Sequence, residues 1–297
     1  MLNMKANMGI TKEVTREVKA FKTHLQRLGY SKTSINMLPS CVNNFLEFNT
    51  VNTCQATSKH ILVYHKYLQE RPNKKGSGSL SESYINHHVY ALKLFFSWQQ
   101  ERGVVATNPM SSLSFKTPTS KPREILTQCE VKQLFLVCKS LKEKATLALF
   151  YGCGLRRSEG ACLNLKDVHF RSNVLYVRDG KNGKRRVVPL SSQVKTILKS
   201  YVFTERVALD NEQAFIVNER HKRSSGDVYN STLKAILKQA GINKQITLHC
   251  LRHSIATHLL ESGLSVEYVR DFLGHKHLES TQIYTRVNQK QLHHLSL

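Results

Sequence analysis

The sequence predicts a mainly α protein with a small β-sheet, an α+β chain with a helical N-terminal domain and a mixed second domain. Three observations carry this. Apolar residues recur at three- and four-residue spacing from about Ile10 to Gly103. A stretch bearing prolines and basic residues, Phe115 to Arg123, then breaks the pattern. Beyond it, two short β-type runs flank a glycine-containing turn before helical spacing returns. A chain of 297 residues is long enough for two cores. The expected division is 1–116 as the helical domain, 117–124 as the linker and 125–297 as the second domain.

The first predicted helix carries Val14, Val18, Phe21, Leu25 and Leu28 on one face and closes at Gly29. Further helices are expected over Ser31 to Asn49, Ser58 to Glu70 and Ser81 to Arg102, the last with Ile85, Val89, Leu92, Phe95 and Phe96 as its buried face. Pro72 to Ser79 reads as a basic loop. After the linker, Thr127 and Glu130 have the spacing of a capping box, opening a helix through Leu134 and Val137. A second helical unit around Lys144 to Tyr151 leads into a glycine-rich break. Val174 to Arg178 and Arg185 to Leu190 read as strands joined through Asp179, Gly180, Lys181, Asn182 and Gly183, and the remainder returns to helix.

Charge is the strongest global signal. Forty-four Lys and Arg stand against 21 Asp and Glu, a formal net charge of +23, which calls for a polyanionic partner. Nucleic acid fits best, because basic side chains that neutralise phosphates release counterions. The basic residues are spread along the chain with no single basic amphipathic anchor, which argues against a membrane surface. No stretch approaches the roughly 18 apolar residues of a membrane span, and Met1 to Val14 lacks the apolar block of a secretory signal, so a soluble, cytoplasmic protein is expected. Seven cysteines without a CxxC pair predict reduced, mostly buried thiols and no metal.

Four constellations offer chemistry suited to a phosphodiester. In Gly154-Leu155-Arg156-Arg157-Ser158-Glu159 a turn enters a short helix. Arg156 presents a planar fork to phosphate oxygens, and Glu159, one turn on, can hold it; a surface ion pair is the alternative. Lys181 at the hairpin tip, with Lys184, Arg185 and Arg186 beside it, is a proton donor to a departing hydroxyl or a simple phosphate clamp. His249-Cys250-Leu251-Arg252-His253 opens a helix with the stripe Leu248, Leu251, Ile255 and Leu259. The three-residue spacing puts His249 and Arg252 on one side of the first turn, where the helix end favours an anion. Zinc held by His249 and His253 is disfavoured, since no acidic residue accompanies them as in HExxH. Last comes Leu273-Gly274-His275, followed by Thr281-Gln282-Ile283-Tyr284. Alone, Tyr284 reads as a packed aromatic; beside two arginines, a lysine and histidines it reads as a nucleophile.

With these motifs, GLRRSE at 154–159, Lys181, HCLRH at 249–253, LGH at 273–275 and IYT at 283–285, the chain resembles the tyrosine recombinases, the lambda-integrase-like enzymes that include the Xer recombinases. The resemblance covers the chain from about Ile125. The helical first part is similar in size and style to that family's core-binding domain, without a diagnostic motif. The resemblance implies a tyrosine-recombinase catalytic domain in which Arg156, Lys181, His249, Arg252 and His275 surround the scissile phosphate, with Glu159 supporting them. Tyr284 would attack phosphorus to give a 3'-phosphotyrosyl enzyme and a free 5'-hydroxyl, with Lys181 as acid and His249 as base. Arg156 and Arg252 would stabilise the transition state, and His275 would add a hydrogen bond.

No cofactor and no metal are then required, because the covalent bond conserves the energy. The implied partners are double-stranded DNA and a homo- or hetero-tetramer on two DNA sites, with accessory DNA-bending proteins and no membrane. The tail Thr285 to Leu297, with Leu292 and Leu295 as anchors, resembles tails that family members pass to a neighbouring subunit. The short stretch before Ile10 fits the two-domain kind without an arm-site domain. The competing readings are a type IB topoisomerase-like activity and an architectural DNA-binding protein without catalysis.

Overall fold

The computed structural model describes residues 2–73, 78–116, 124–178, 185–206 and 213–274, with the backbone alone for 2–13. The chain divides into two compact units, Met1–Lys121 and Pro122–Leu297. In the first, α1 (Leu2–Arg27), α2 (Lys32–Asn49), α3 (Ser58–Glu70) and α4 (Glu82–Glu101) follow one another. Each boundary has a local cause. Ser31 and Ser81 cap α2 and α4 by accepting backbone N–H bonds from Ser34 and Tyr84. Gly29, at φ +73, turns the chain after α1.

α1 starts well before Ile10, where its apolar spacing begins; periodicity marks the buried face of a helix and not its full length. Leu28, expected on that face, is 59% exposed because α1 has already ended at Arg27. The core joins Phe21 of α1, Phe45 of α2, Tyr64 of α3 and Phe95 and Phe96 of α4. Its rings meet edge to face, with centroids 5.3 Å apart for Phe21 and Phe95 and 5.9 Å for Phe45 and Phe96.

The second unit opens with the capping box foreseen in sequence. Thr127 Oγ1 accepts from the Glu130 N–H, Glu130 accepts from the Thr127 N–H at 2.7 Å, and α5 runs over Gln128–Val137. α6 (Leu141–Leu147) widens into a π-helical turn, Ala148–Gly152, before α7 (Arg157–Cys162). The strands β1 (Val168–His169), β2 (Val174–Val177) and β3 (Arg186–Pro189) form an antiparallel sheet in the order β1-β2-β3. β1 is too short to carry an alternation that sequence reading could detect. In the β2–β3 register Leu175 faces Val188 and Val177 faces Arg186. The period of two places Arg186 on the buried face with Val188.

α8 (Ser192–Ser200), α9 (Gly226–Gln239), α10 (Leu248–Glu261) and α11 (Val266–Leu273) complete the described unit, enclosing one apolar core. All seven cysteines are free. The expectation that most are buried is corrected: Cys41, Cys153 and Cys250 are buried, whereas Cys54, Cys129 and Cys162 are exposed. A thiol is small and only weakly polar, so it tolerates either side of a helix. Among the described residues no helix is long and apolar enough to cross a membrane, and no cluster of side chains suits a metal ion.

Candidate active site

The site is built around one carboxylate. Glu159 lies on α7, its side chain fully buried, and three guanidinium groups from separate segments converge on it. Arg156, at the residue before α7, donates to Oε1 at 2.7 Å from its side chain and to Oε2 at 2.8 Å from its backbone N–H. Arg186 of β3 grips both oxygens as a fork, at 2.8 Å each. Arg252 of α10 stands 3.9 Å from Oε2. The surface-pair alternative for Arg156 and Glu159 is thereby excluded.

The same arginines close the end of α11, whose last carbonyls have no partner within the helix. Arg186 donates to Phe272 O at 3.3 Å, Arg252 to Leu273 O and Arg156 to Gly274 O at 3.0 Å. Arg252 also donates to Gly154 O. Two glycines make this convergence possible. Gly274 sits at φ +66, and a Cβ there would lie 2.7 Å from Arg186 Cδ. Gly154 sits at φ +57, where a Cβ would lie 2.7 Å from Leu273 Cδ2. The LGH glycine thus admits Arg186, and the GLRRSE glycine admits the apolar side chains of Leu273 and Phe272 at the end of α11.

Charge follows from the geometry. Burial alone raises the Glu159 carboxyl, but the hydrogen bonds and charge of Arg186, and then those of Arg156, outweigh it and hold the group at about 2. Burial, followed by the repulsion of Arg156 and Arg186, pushes the Arg252 guanidinium down to about 9, against the pull of Glu159. Among the described residues, three positive groups around one negative group leave a surplus of two positive charges. Arg156 keeps part of its side chain exposed, at 23%, and offers that surplus to solvent. A dianionic or monoanionic oxygen group such as a phosphodiester is the ligand chemistry this favours.

The structure therefore brings together Arg156, Glu159 and Arg252 of the residues singled out in sequence. His249 lies on the first turn of α10, exposed, with its ring edge to face against His253 at 4.6 Å. It does not share the orientation of Arg252, which turns inward at 3% exposure. Residues three apart on a helix diverge by roughly 60°, and the core stripe claims Arg252 alone. Lys181, His275 and Tyr284 lie outside the described residues. Sequence reasoning missed Arg186, which it grouped with the basic hairpin. Its signal was the alternation Arg186, Val188, Leu190, which puts a charge on an apolar face.

Residues 124–291 match the Phage integrase family. The chain is 34% identical over 280 residues to tyrosine recombinase XerA of Pyrococcus horikoshii, covering 93% of this chain and 90% of the relative. It is 35% identical over 278 residues to tyrosine recombinase XerD of Oceanobacillus iheyensis, covering 89% and 91%. Among solved structures, a lambda integrase (75–356) dimer bound to a COC' core site shares the fold, with a TM-score of 0.70 and 17% identity over 91% of this chain and 98% of that one. A crystal structure of XerA recombinase aligns with a TM-score of 0.50 and 26% identity over 95% and 97%. With a family match over more than half of its length and full-length relatives of this kind, the chain belongs to the phage integrase family and is a tyrosine recombinase.

Proposed function

We propose that this recombinase cuts and rejoins duplex DNA at specific sites through a 3'-phosphotyrosyl bond to Tyr284. The observation that carries the reading is the buried Glu159 with three guanidiniums and a surplus of two positive charges, a cradle suited to one phosphodiester. Arg156 and Arg252 bind the non-bridging oxygens and stabilise the charge that builds at phosphorus. The Tyr284 hydroxyl loses its proton to His249 and attacks phosphorus; the bond to the 5'-oxygen breaks, and Lys181 protonates that leaving oxygen to give the free 5'-hydroxyl. His275 donates a hydrogen bond to the same phosphate. The 5'-hydroxyl of a second strand reverses the step, so neither a cofactor nor a metal enters.

The helical first unit grips the duplex, and the net charge of +23 supplies the counterion-release component of affinity. Solved relatives include a lambda integrase tetramer bound to a Holliday junction, which supports a tetramer on DNA for this chain; a homo- or hetero-tetramer on two DNA sites, assisted by accessory DNA-bending proteins, is the assembly we propose. The cytoplasm, where DNA is accessible, is the compartment this role requires.

The test is a nicked suicide duplex bearing the cognate site, incubated with the protein and resolved on a denaturing gel. Protein-linked DNA is expected from the wild type and none from Tyr284→Phe, with DNA binding retained by both. Absence of the adduct on DNA that is demonstrably bound would overturn the reading in favour of an architectural protein. Relaxation of supercoils without strand exchange would indicate a topoisomerase.

A further inference from the structure

We propose that Arg186 is a positioning residue for strand cleavage, holding Glu159 and the end of α11 so that Arg156 and Arg252 meet the phosphate as a fixed pair. The inference rests on the recombinase reading above. Arg186 does not meet DNA itself: its side chain is 6% exposed and its donors point inward. Two of them take the two Glu159 oxygens at 2.8 Å each, and Nε reaches Phe272 O at 3.3 Å. One planar group therefore ties β3 to both α7 and α11.

Each tie bears on a phosphate-facing arginine. Glu159 holds Arg156 through Oε1, which Arg186 also holds, so the carboxylate cannot rotate without releasing one of them. The carbonyl next to Phe272, that of Leu273, accepts from Arg252, and the one after it, Gly274 O, accepts from Arg156. Phe272, Leu273 and Gly274 thus form a rail on which the three guanidiniums are spaced. The absence of a side chain at Gly274 leaves room for Arg186 Cδ, so the LGH glycine and Arg186 are one fitted unit. In sequence, β3 and α11 are the elements that border residues 179–184 and 275–297. A lysine could supply the charge but not the three-donor fork.

Among the described residues the charged groups that face Glu159 are Arg156 beside α7, Arg186 from β3 and Arg252 from α10. Cys153, buried on the same side, feels the charge of Arg186 but burial dominates and pushes its thiol up to about 12, so it stays neutral. Removing Arg186 takes away the strongest influence that opposes burial at Glu159. The Glu159 carboxyl then rises and takes up a proton at a pH where the wild-type group is ionised.

The experiment uses the full-length protein and the suicide duplex, with single-turnover rates of adduct formation from pH 5 to 8 and a gel-shift measurement of DNA binding. In Arg186→Met the rate is expected to fall about 10- to 100-fold, the range for residues that orient a reacting group from behind. DNA affinity should stay unchanged. The rate should also gain a decline toward pH 5 steeper than the wild type shows as its base His249 takes up a proton, and the added Glu159→Gln substitution should remove that extra steepness. Arg186→Lys, which keeps the charge in place, should recover only part of the rate and serves as the test should the methionine variant fail to fold.

A wild-type rate and pH profile in the folded methionine variant, or in the lysine variant, would overturn the proposal. So would a loss that is equal at every pH, which marks a merely structural role. A wild type that makes no adduct on bound DNA would instead sink the recombinase reading. A wild-type adduct lost in Tyr284→Phe, with Arg186→Met unchanged, would sink the Arg186 inference alone.

Discussion

The two units bury titratable groups in opposite ways. In the helical unit His88 is fully buried on α4, and Tyr64 OH meets its Nδ1 at 3.1 Å. Burial, reinforced by the charge of Arg71, drives the imidazole down to about 4, so it is neutral at physiological pH. In the second unit Glu159 is equally deep but stays ionised, because three arginines surround it. One centre resolves desolvation by giving up charge, the other by gathering more opposite charge than it needs. The difference is one of charge: a neutral pair needs no counter-ion, although His88 Nε2 is buried without a hydrogen-bond partner among the described residues, whereas a positive surplus is stabilised by an anion.

The largest effect that would break this comparison comes from Glu159→Leu. Three inward guanidiniums would lose their common counter-charge, and the full-length protein should lose about 3–5 kcal/mol in chemical denaturation. A loss below 1 kcal/mol would mean that the arginines rearrange to solvent and the surplus is not held by the fold.

Linkage gives the next effect. The folded His88 pKa is depressed from 6.5 to about 4, so the unfolded chain binds the extra proton between those values. Its stabilising contribution is present above pH 6.5 and is lost as the pH falls toward 4. Between pH 7 and 5 this amounts to about 2 kcal/mol. Glu159, depressed from 4.5 to about 2, loses its contribution only as the pH falls below 4.5, so above that pH the change in stability belongs to the His88 centre. The difference in denaturation free energy between pH 7 and 5 should shrink by most of that amount in His88→Asn. An unchanged difference would show that His88 is not the group responsible.

The smallest effect is that of Tyr64→Phe, which removes one hydroxyl from the neutral pair. A loss of about 1 kcal/mol at pH 7 is expected from thermal or chemical denaturation. A loss as large as that of Glu159→Leu would abolish the contrast between the centres.

By itself the sequence determined the helical character of both units, the capping box at Thr127 and Glu130 and the hairpin strands, because caps, turns and spacing act over a few residues. It also marked Arg156, Glu159 and Arg252 through short motifs. What it could not assign was the partner of each charge. Arg186 looked like one more cation of a basic hairpin until the strand register turned it inward. His249 and Arg252 looked alike until the core took only one of them. The exposed Leu28 and the exposed Cys54, Cys129 and Cys162 show the same limit for burial. The site joins residues 156, 159, 186, 252 and 272–274, so its contacts exist only once α7, β3, α10 and α11 are packed together. Local rules fix elements, but the net charge of a buried cluster is decided by distant segments sharing one low-dielectric volume.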